Sequence, residues 1–143
     1  MPILNYTTKV SIDKSLTEIK NMLVMHGACK IVHDYEGPIT IAVTFSLLIN
    51  DRLIGFSLPC NYEGVLEAMK KDKKVPKSFC NKEQAIRVSW RIIKDWVEAQ
   101  LAIVDAKLAE VSEVFLPYAL TIHGTTLYKE IKKSGGSNLL SLN

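Results

Sequence analysis

The run from Ile39 to Ile49 limits the fold more than any other segment, because it places an apolar residue at every second position. Its apolar members are Ile39, Ile41, Val43, Phe45, Leu47 and Ile49. This two-residue period is typical of a β-strand with one buried face. Residues 30–35 precede it across a Glu36-Gly37-Pro38 turn, and residues 52–58 follow it across Asn50-Asp51, a pair that tolerates the positive φ of a tight hairpin. The sequence therefore predicts a three-stranded antiparallel meander.

The residues before the meander predict one strand and one helix. Residues 3–11 alternate loosely between apolar and polar side chains, which favours a half-buried strand. Ser15 and Glu18 have the spacing of a capping box, the usual start of a helix. The next apolar residues share one helical face, and Gly27 would end that helix. These apolar residues are Leu16, Ile19, Met22 and Leu23.

After Pro59 the apolar spacing becomes helical. Asn61 is a candidate cap for a short helix that ends in the Lys-rich segment 70–74. Asn81 and Gln84 begin the longest predicted helix, at about residues 82–107. Ser112 and either Thr125 or Thr126 are candidate caps for two shorter helices. Since strands precede helices instead of alternating with them, the order predicts an α+β fold. We expect one domain over residues 1–134 and a flexible Gly-Gly-Ser-initiated tail over residues 135–143.

The second half of the long helix is apolar on nearly all sides over residues 97–106. Such a helix has to be buried, and a domain with one small sheet offers limited cover. We therefore expect a subunit interface here, and with it a homo-oligomer. Its candidate residues are Val97, Leu101, Val104 and Leu108.

Several function classes lack support in the sequence. The seven glycines are scattered and form no phosphate-binding loop. The three histidines have no metal-ligand spacing, the three cysteines form no C-x-x-C pair, and no catalytic signature occurs. We therefore expect no enzyme, metal or cofactor, and we interpret Cys29 and Cys60 as small buried residues. No apolar run is long enough to cross a bilayer, and the first residues lack the basic and apolar regions of a secretory leader, which predicts a cytoplasmic protein without membrane contact.

One set of side chains on the long helix has the chemistry of a phosphate site. Arg87 and Arg91 are four residues apart, as are Trp90 and Lys94, so the four side chains are neighbours on the helix surface. Guanidinium groups bind phosphate oxygens and an indole ring stacks on a base. The alternative is that Glu83 and Asp95 pair with these arginines while Trp90 packs against the sheet. We call this set the basic stripe.

The segment Phe115-Leu116-Pro117-Tyr118 places two aromatic residues around a proline. Such a corner is rigid, and the Tyr118 hydroxyl needs a partner if it is buried. We expect it to pack over the long helix. The alternative is that Phe115 and Tyr118 form a wall of a ligand pocket.

Residues 84–102 and 113–118 resemble a family of small proteins encoded by bacteriophages and prophages, through the segments QAIRVSWRIIKDWVEAQLA and EVFLPY. The opening MPILNYTTKV and Gly27-Ala28 resemble the same family. The resemblance implies a phage or prophage origin, and hence the cytoplasm of the infected host, but no particular chemistry. Small accessory phage proteins often antagonise bacterial immunity, in some cases by sequestering nucleotide signals, and this analogy is by genomic context alone.

Three functions follow as hypotheses. The first is a non-enzymatic, oligomeric anti-defence protein that sequesters a phosphate-bearing nucleotide at the basic stripe, with Tyr118 or Phe115 beside it. The second is an inhibitor or adaptor that docks its helical surface on a host or phage protein. The third is nucleic-acid binding by the lysines at 70–74, which we do not expect because the net charge of +3 is small and lysines at helix ends are ordinarily solvated.

Overall fold

A computed structural model of the protein describes residues 3–135 and residue 140. Its elements are α1 (Ile12–Met25), β1 (Lys30–Glu36), β2 (Ile39–Ile49), β3 (Arg52–Pro59), α2 (Tyr62–Lys71), α3 (Lys82–Asp105), α4 (Val111–Val114) and α5 (Leu127–Ser134). Single 3₁₀ turns occur at Lys77–Phe79 and Leu116–Tyr118. The fold is α+β, as predicted. Most of the predicted tail over 135–143 lies outside the described residues.

The sheet is the predicted antiparallel meander, in the order β1-β2-β3. Asn50 and Asp51 form its second turn with φ values of 48° and 63°, so both adopt the left-handed conformation that a two-residue hairpin requires. The alternating residues Val43, Phe45 and Leu47 of β2 are buried. They face the helices, which confirms the strand and the face that its two-residue period predicted.

The predicted strand at residues 3–11 is wrong. A turn occupies its start, where Asn5 has a φ of 64° and the Thr8 amide donates to the Asn5 carbonyl at 2.9 Å. The buried Gln84 side chain donates to the carbonyls of Tyr6 and Thr8, at 2.9 Å each. Because a side chain of α3 donates hydrogen bonds to these carbonyls, the segment is fixed in place without pairing to a strand.

The predicted capping box at Ser15 and Glu18 is also wrong. Helix α1 begins one turn earlier, where the Ser11 hydroxyl accepts from the Lys14 amide at 3.1 Å. Ser15 is buried inside the helix, and Glu18 pairs with Arg91 of α3. The caps at Asn61, Asn81 and Thr126 are as predicted, whereas α4 is capped by Glu110 instead of Ser112.

Helix α3 is the centre of the packing, since it contacts both α1 and α2. Aromatic rings connect the sheet to it. Phe45 stacks on Phe56 at 5.3 Å between centroids, and Phe115 lies edge-on to Phe45 at 5.3 Å and to Trp96 at 5.5 Å. Such edge-to-face pairs stabilise a core beyond the area that they bury.

The segment after α4 returns to the sheet. Ala119 forms an isolated antiparallel bridge with Phe56 of β3, and the Leu120 amide donates to the Gly55 carbonyl at 2.7 Å. A Cβ atom at position 55 would lie only 3.1 Å from the Leu120 side chain. Gly55 therefore gives Leu120 room to cross the strand. The return places Tyr118 beside the end of β3.

Candidate functional site

The Trp90 side chain, which the sequence nominated for base stacking, lies in the core. Its exposed fraction is 0%, and its indole N–H donates to the Thr40 carbonyl at 3.1 Å. The ring therefore joins α3 to the start of β2. In this position it offers no face to a ligand.

Arg91 is buried and paired with α1. Its guanidinium is 2.5 Å from a Glu18 carboxylate oxygen and 3.4 Å from the Ser15 hydroxyl. The hydrogen bond from Arg91 lowers the pKa of Glu18, and the charges of Arg91 and Lys94 act in the same direction. The pair links α1 to α3 and leaves this arginine engaged within the chain.

The other two cations of the basic stripe are also paired. Arg87 donates to Gln84 at 2.9 Å and to Glu83 at 3.0 Å. Lys94 contacts the carboxylates of Glu18, Asp95 and Glu98. The structure does bring the three cations together on one face of α3, but each already has a carboxylate partner, and the indole of the set lies elsewhere.

Tyr118 and Phe115 pack against α3 at Trp96. This tryptophan is not among the residues nominated from the sequence. Trp96 lies edge-on to Tyr118 at 5.3 Å and to Phe115 at 5.5 Å. Phe115 is fully buried behind the pair, as a packing residue. Trp96 and Tyr118 are both partly exposed.

These two aromatic residues line an apolar groove of about 280 Å³ between α3, the end of β3 and the turn that follows α4. We call it the aromatic groove. Its walls are formed by Leu58, Pro59, Ile92, Ile93, Trp96 and Tyr118. Leu116, two residues before Tyr118 in the chain, is exposed. The groove contains no charged side chain, so what it can bind is an apolar group with a few hydrogen-bonding atoms.

Within the part of the chain that the structure describes, neither the Trp96 indole N–H nor the Tyr118 hydroxyl has a hydrogen-bond partner. Each combines an apolar ring with a free polar atom, and such residues dominate the binding energy of protein interfaces. The spacing contained a signal for this site. Trp96 follows Ile92 and Ile93 by four and three residues, which places all three on one helical face.

The four residues nominated for an oligomer interface separate into two pairs. Val97 and Leu101 lie in the core with exposed fractions of 0% and 2%. The chain itself therefore buries these two side chains, which the sequence analysis had assigned to a contact with a second subunit. Val104 and Leu108 line a cleft at the ends of α1 and α3. This second pair keeps the exposure that an interface needs.

The structure buries one of the two cysteines expected to be buried and exposes the other. Burial raises the pKa of the Cys60 thiol to about 11, against smaller opposing hydrogen bonds, so the thiol stays protonated at neutral pH. Cys29 is exposed, which corrects the expectation that it is buried. Among residues 3–135 and 140, no three His, Cys, Asp or Glu side chains lie together as a metal site would require.

Comparison of the chain with protein-family models, with curated proteins and with solved structures finds no match. No helix among the described residues has both the length and the apolar character needed to span a bilayer.

Proposed function

We propose that this protein is a non-enzymatic adaptor that binds a short extended segment of another protein in the aromatic groove. The observation that carries the proposal is the pair of partly exposed rings, Trp96 and Tyr118, whose polar atoms have no partner within the described residues. The resemblance to phage-encoded proteins supports a host or phage protein as the partner and the bacterial cytoplasm as the compartment.

The chemistry of the groove favours a segment in the polyproline II conformation. Such a segment makes no internal hydrogen bonds, so its carbonyl groups need donors. The Trp96 N–H and the Tyr118 O–H are donors at the wall of the groove. Aromatic-lined grooves accept proline rings at low entropic cost because this helix is already formed. The partner is therefore a proline-containing segment that packs a ring or an aliphatic side chain against Trp96 and Tyr118.

The size and charge of the groove support a peptide over a nucleotide. Its volume of about 280 Å³ is at the lower limit of small-molecule pockets, which are about 300–1,000 Å³, and its walls hold no cation for a phosphate. The basic stripe has the cations, but Arg87, Arg91 and Lys94 are each paired with a carboxylate. Nucleotide sequestration stays a prediction that the same experiment addresses.

The two tryptophans make a direct test. In a nitrogen-15 correlation spectrum the chain gives one indole signal from Trp96 and one from Trp90, since it has two tryptophans. On titration with decaproline we expect the Trp96 signal to move and the Trp90 signal, whose N–H is bonded to Thr40 in the core, to stay. A Gly-Ser decapeptide is the control ligand. Trp96→Phe assigns the signals.

Tyr118→Phe removes the free hydroxyl and keeps the ring. We expect it to weaken decaproline binding about five- to tenfold, the loss of one hydrogen bond, without a change in the circular dichroism spectrum. The proposal is wrong if millimolar decaproline moves neither signal or moves both equally. If ADP-ribose instead shifts the amides of Arg87 and Arg91, the nucleotide hypothesis replaces it.

A further inference from the structure

A wide cleft lies where α1, β2 and α3 all end. It has a volume of about 860 Å³. Its walls are formed by His26 and Gly27 after α1, by the end of β2, and by residues 107–113 after α3. We call it the terminal cleft. It shares no residue with the aromatic groove.

An exposed leucine projects from one wall of the terminal cleft. Helix α3 ends with the Lys107 amide bonded to Val104 and the Leu108 amide bonded to Ile103, and Lys107 has a φ of 63°. In this helix-ending motif the residue at the position of Leu108 ordinarily packs back on the helix. Here 77% of Leu108 is exposed, and Ile103 is exposed as well. The leucine therefore does not have the burial against the last turn of the helix that this motif ordinarily gives.

Beside this leucine the same cleft contains an apolar hollow. Leu47 is buried at its floor, and Ile49, Val104 and Val111 are half-buried around it. Leu48, at its edge, is exposed. The cleft therefore has both an apolar projection and an apolar recess.

Charge is divided in the same way. Lys107 is the cation next to the projecting Leu108, while Glu110 and Glu113 place two exposed carboxylates on the rim. His26, which also lines the cleft, lies 2.8 Å from the Asp105 carboxylate, so these two groups offset each other. The surface thus contains a cation on the projection and negative charge around the recess.

We infer that the terminal cleft binds a second copy of this chain across a two-fold axis. In such an interface the same patch of both subunits meets itself, so Leu108 of each copy enters the recess of the other and Lys107 meets the carboxylates of the other. A basic peptide would use the carboxylates but leave Leu108 and Lys107 without partners. A second copy provides an apolar partner for Leu108 and an opposite charge for Lys107 and for the carboxylates.

Sedimentation equilibrium of the full chain tests the inference. We expect the wild type to reach twice its 16.0 kDa at concentrations up to about 100 μM, and Leu108→Glu to weaken the association at least tenfold. Ile122→Glu is the matched control, because Ile122 is more exposed than Leu108 and lies outside the cleft. A monomeric wild type, or a Leu108→Glu variant that still dimerises, overturns the inference.

Charge exchange tests the pairing itself. Lys107→Glu alone and Glu113→Lys alone should each weaken the dimer by like-charge contact. Mixed in equal amounts, the two variants should form a heterodimer at least tenfold more stable than either homodimer, because both halves of the mixed interface regain opposite charges. A mixture no more associated than its components contradicts the proposed geometry. Because Trp96 does not line the terminal cleft, Leu108→Glu should leave the decaproline response unchanged.

Discussion

At the scale of single residues, the contact between Arg91 and Glu18 fixes α1 against α3. Arg91 is buried, so the loss of Glu18 leaves a guanidinium with few partners away from water. We expect Glu18→Ala to lower the free energy of unfolding by about 1–2 kcal/mol, measured by urea denaturation. Glu98→Ala is the control, since its carboxylate pairs with Lys94 at an exposed i,i+4 position and should cost less than about 0.5 kcal/mol. Equal losses in the two variants would contradict this role of Arg91.

His26 forms the second residue-scale link between the same helices. Its Nδ1 atom is 2.7 Å from the Met22 carbonyl and its Nε2 atom is 2.8 Å from the Asp105 carboxylate. Both partners are acceptors, so both nitrogens donate only when the ring is protonated. The hydrogen bond to Met22 raises the pKa of His26, and Asp105 adds to this effect, while burial opposes it.

A raised pKa sets the sign of the pH dependence. The stabilisation by His26 is complete below the ordinary histidine pKa of about 6.5 and is lost as the pH rises through the higher folded value. We expect His26→Ala to cost about 1 kcal/mol more at about pH 5.5 than at about pH 8.5, as measured by urea denaturation at both pH values. Asp105→Asn removes the negative charge beside the ring and should narrow that difference. A cost that is independent of pH would show that folding does not raise the pKa of His26.

The two tryptophans show how far residue roles could be predicted from the sequence. Helical spacing placed Arg87 beside Arg91 correctly, because i,i+4 neighbours follow from local geometry alone. It could not show that Thr40, fifty residues away, accepts the Trp90 N–H. The free indole at Trp96 depends on where the chain returns after α4, which is a tertiary contact without a local signal.

At the scale of elements, the N-terminal segment depends on one side chain of α3. Alternation in residues 3–11 is a local pattern that a strand and an anchored loop share, so the sequence could not distinguish them. Gln84 decides the outcome, because its amide donates to two carbonyls of the segment. The alternation of β2 was a safer guide, since its partners are adjacent in the chain.

We expect Gln84→Ala to release residues 5–10 while the sheet stays folded. The two lost hydrogen bonds are worth about 1–3 kcal/mol together, which should raise hydrogen exchange in this segment about tenfold or more. Hydrogen exchange with mass spectrometry measures it. Gln100→Ala, on the same helix and partly exposed, is the control. Unchanged exchange at residues 5–10 would mean that other contacts hold the segment.

At the scale of the whole molecule, the α+β class followed from the order of two periods, two residues in the strands and about 3.6 in the helices. The long helix was predicted with nearly its observed bounds, because its cap and its apolar stripe are both local. How much of the second half of this helix the rest of the chain buries could not be predicted, because it depends on tertiary packing. Val97 and Leu101 are buried within the chain, and the fold achieves this by the packing of several elements on one helix.

Phe115 connects these elements across the molecule, between Phe45 of the sheet and Trp96 of α3. We expect Phe115→Ala to lower the free energy of unfolding by about 3–5 kcal/mol, the cost of a cavity left by a buried aromatic ring. Phe115→Leu should cost clearly less, because it retains most of the apolar volume. Urea denaturation measures both, and similar losses would show that the core does not depend on the ring.

The same variants connect stability to binding. Domains of this kind are stable by about 5–15 kcal/mol, so a Phe115→Ala protein that is still folded at low temperature should retain its sheet. It should nevertheless bind decaproline more weakly, because Trp96 and Tyr118 lose the ring that supports them. Phe115→Leu should bind with intermediate affinity. If the Trp96 indole signal of folded Phe115→Ala responds to decaproline as in the wild type, the groove does not need this support, and the aromatic pair is positioned by α3 and the 3₁₀ turn alone.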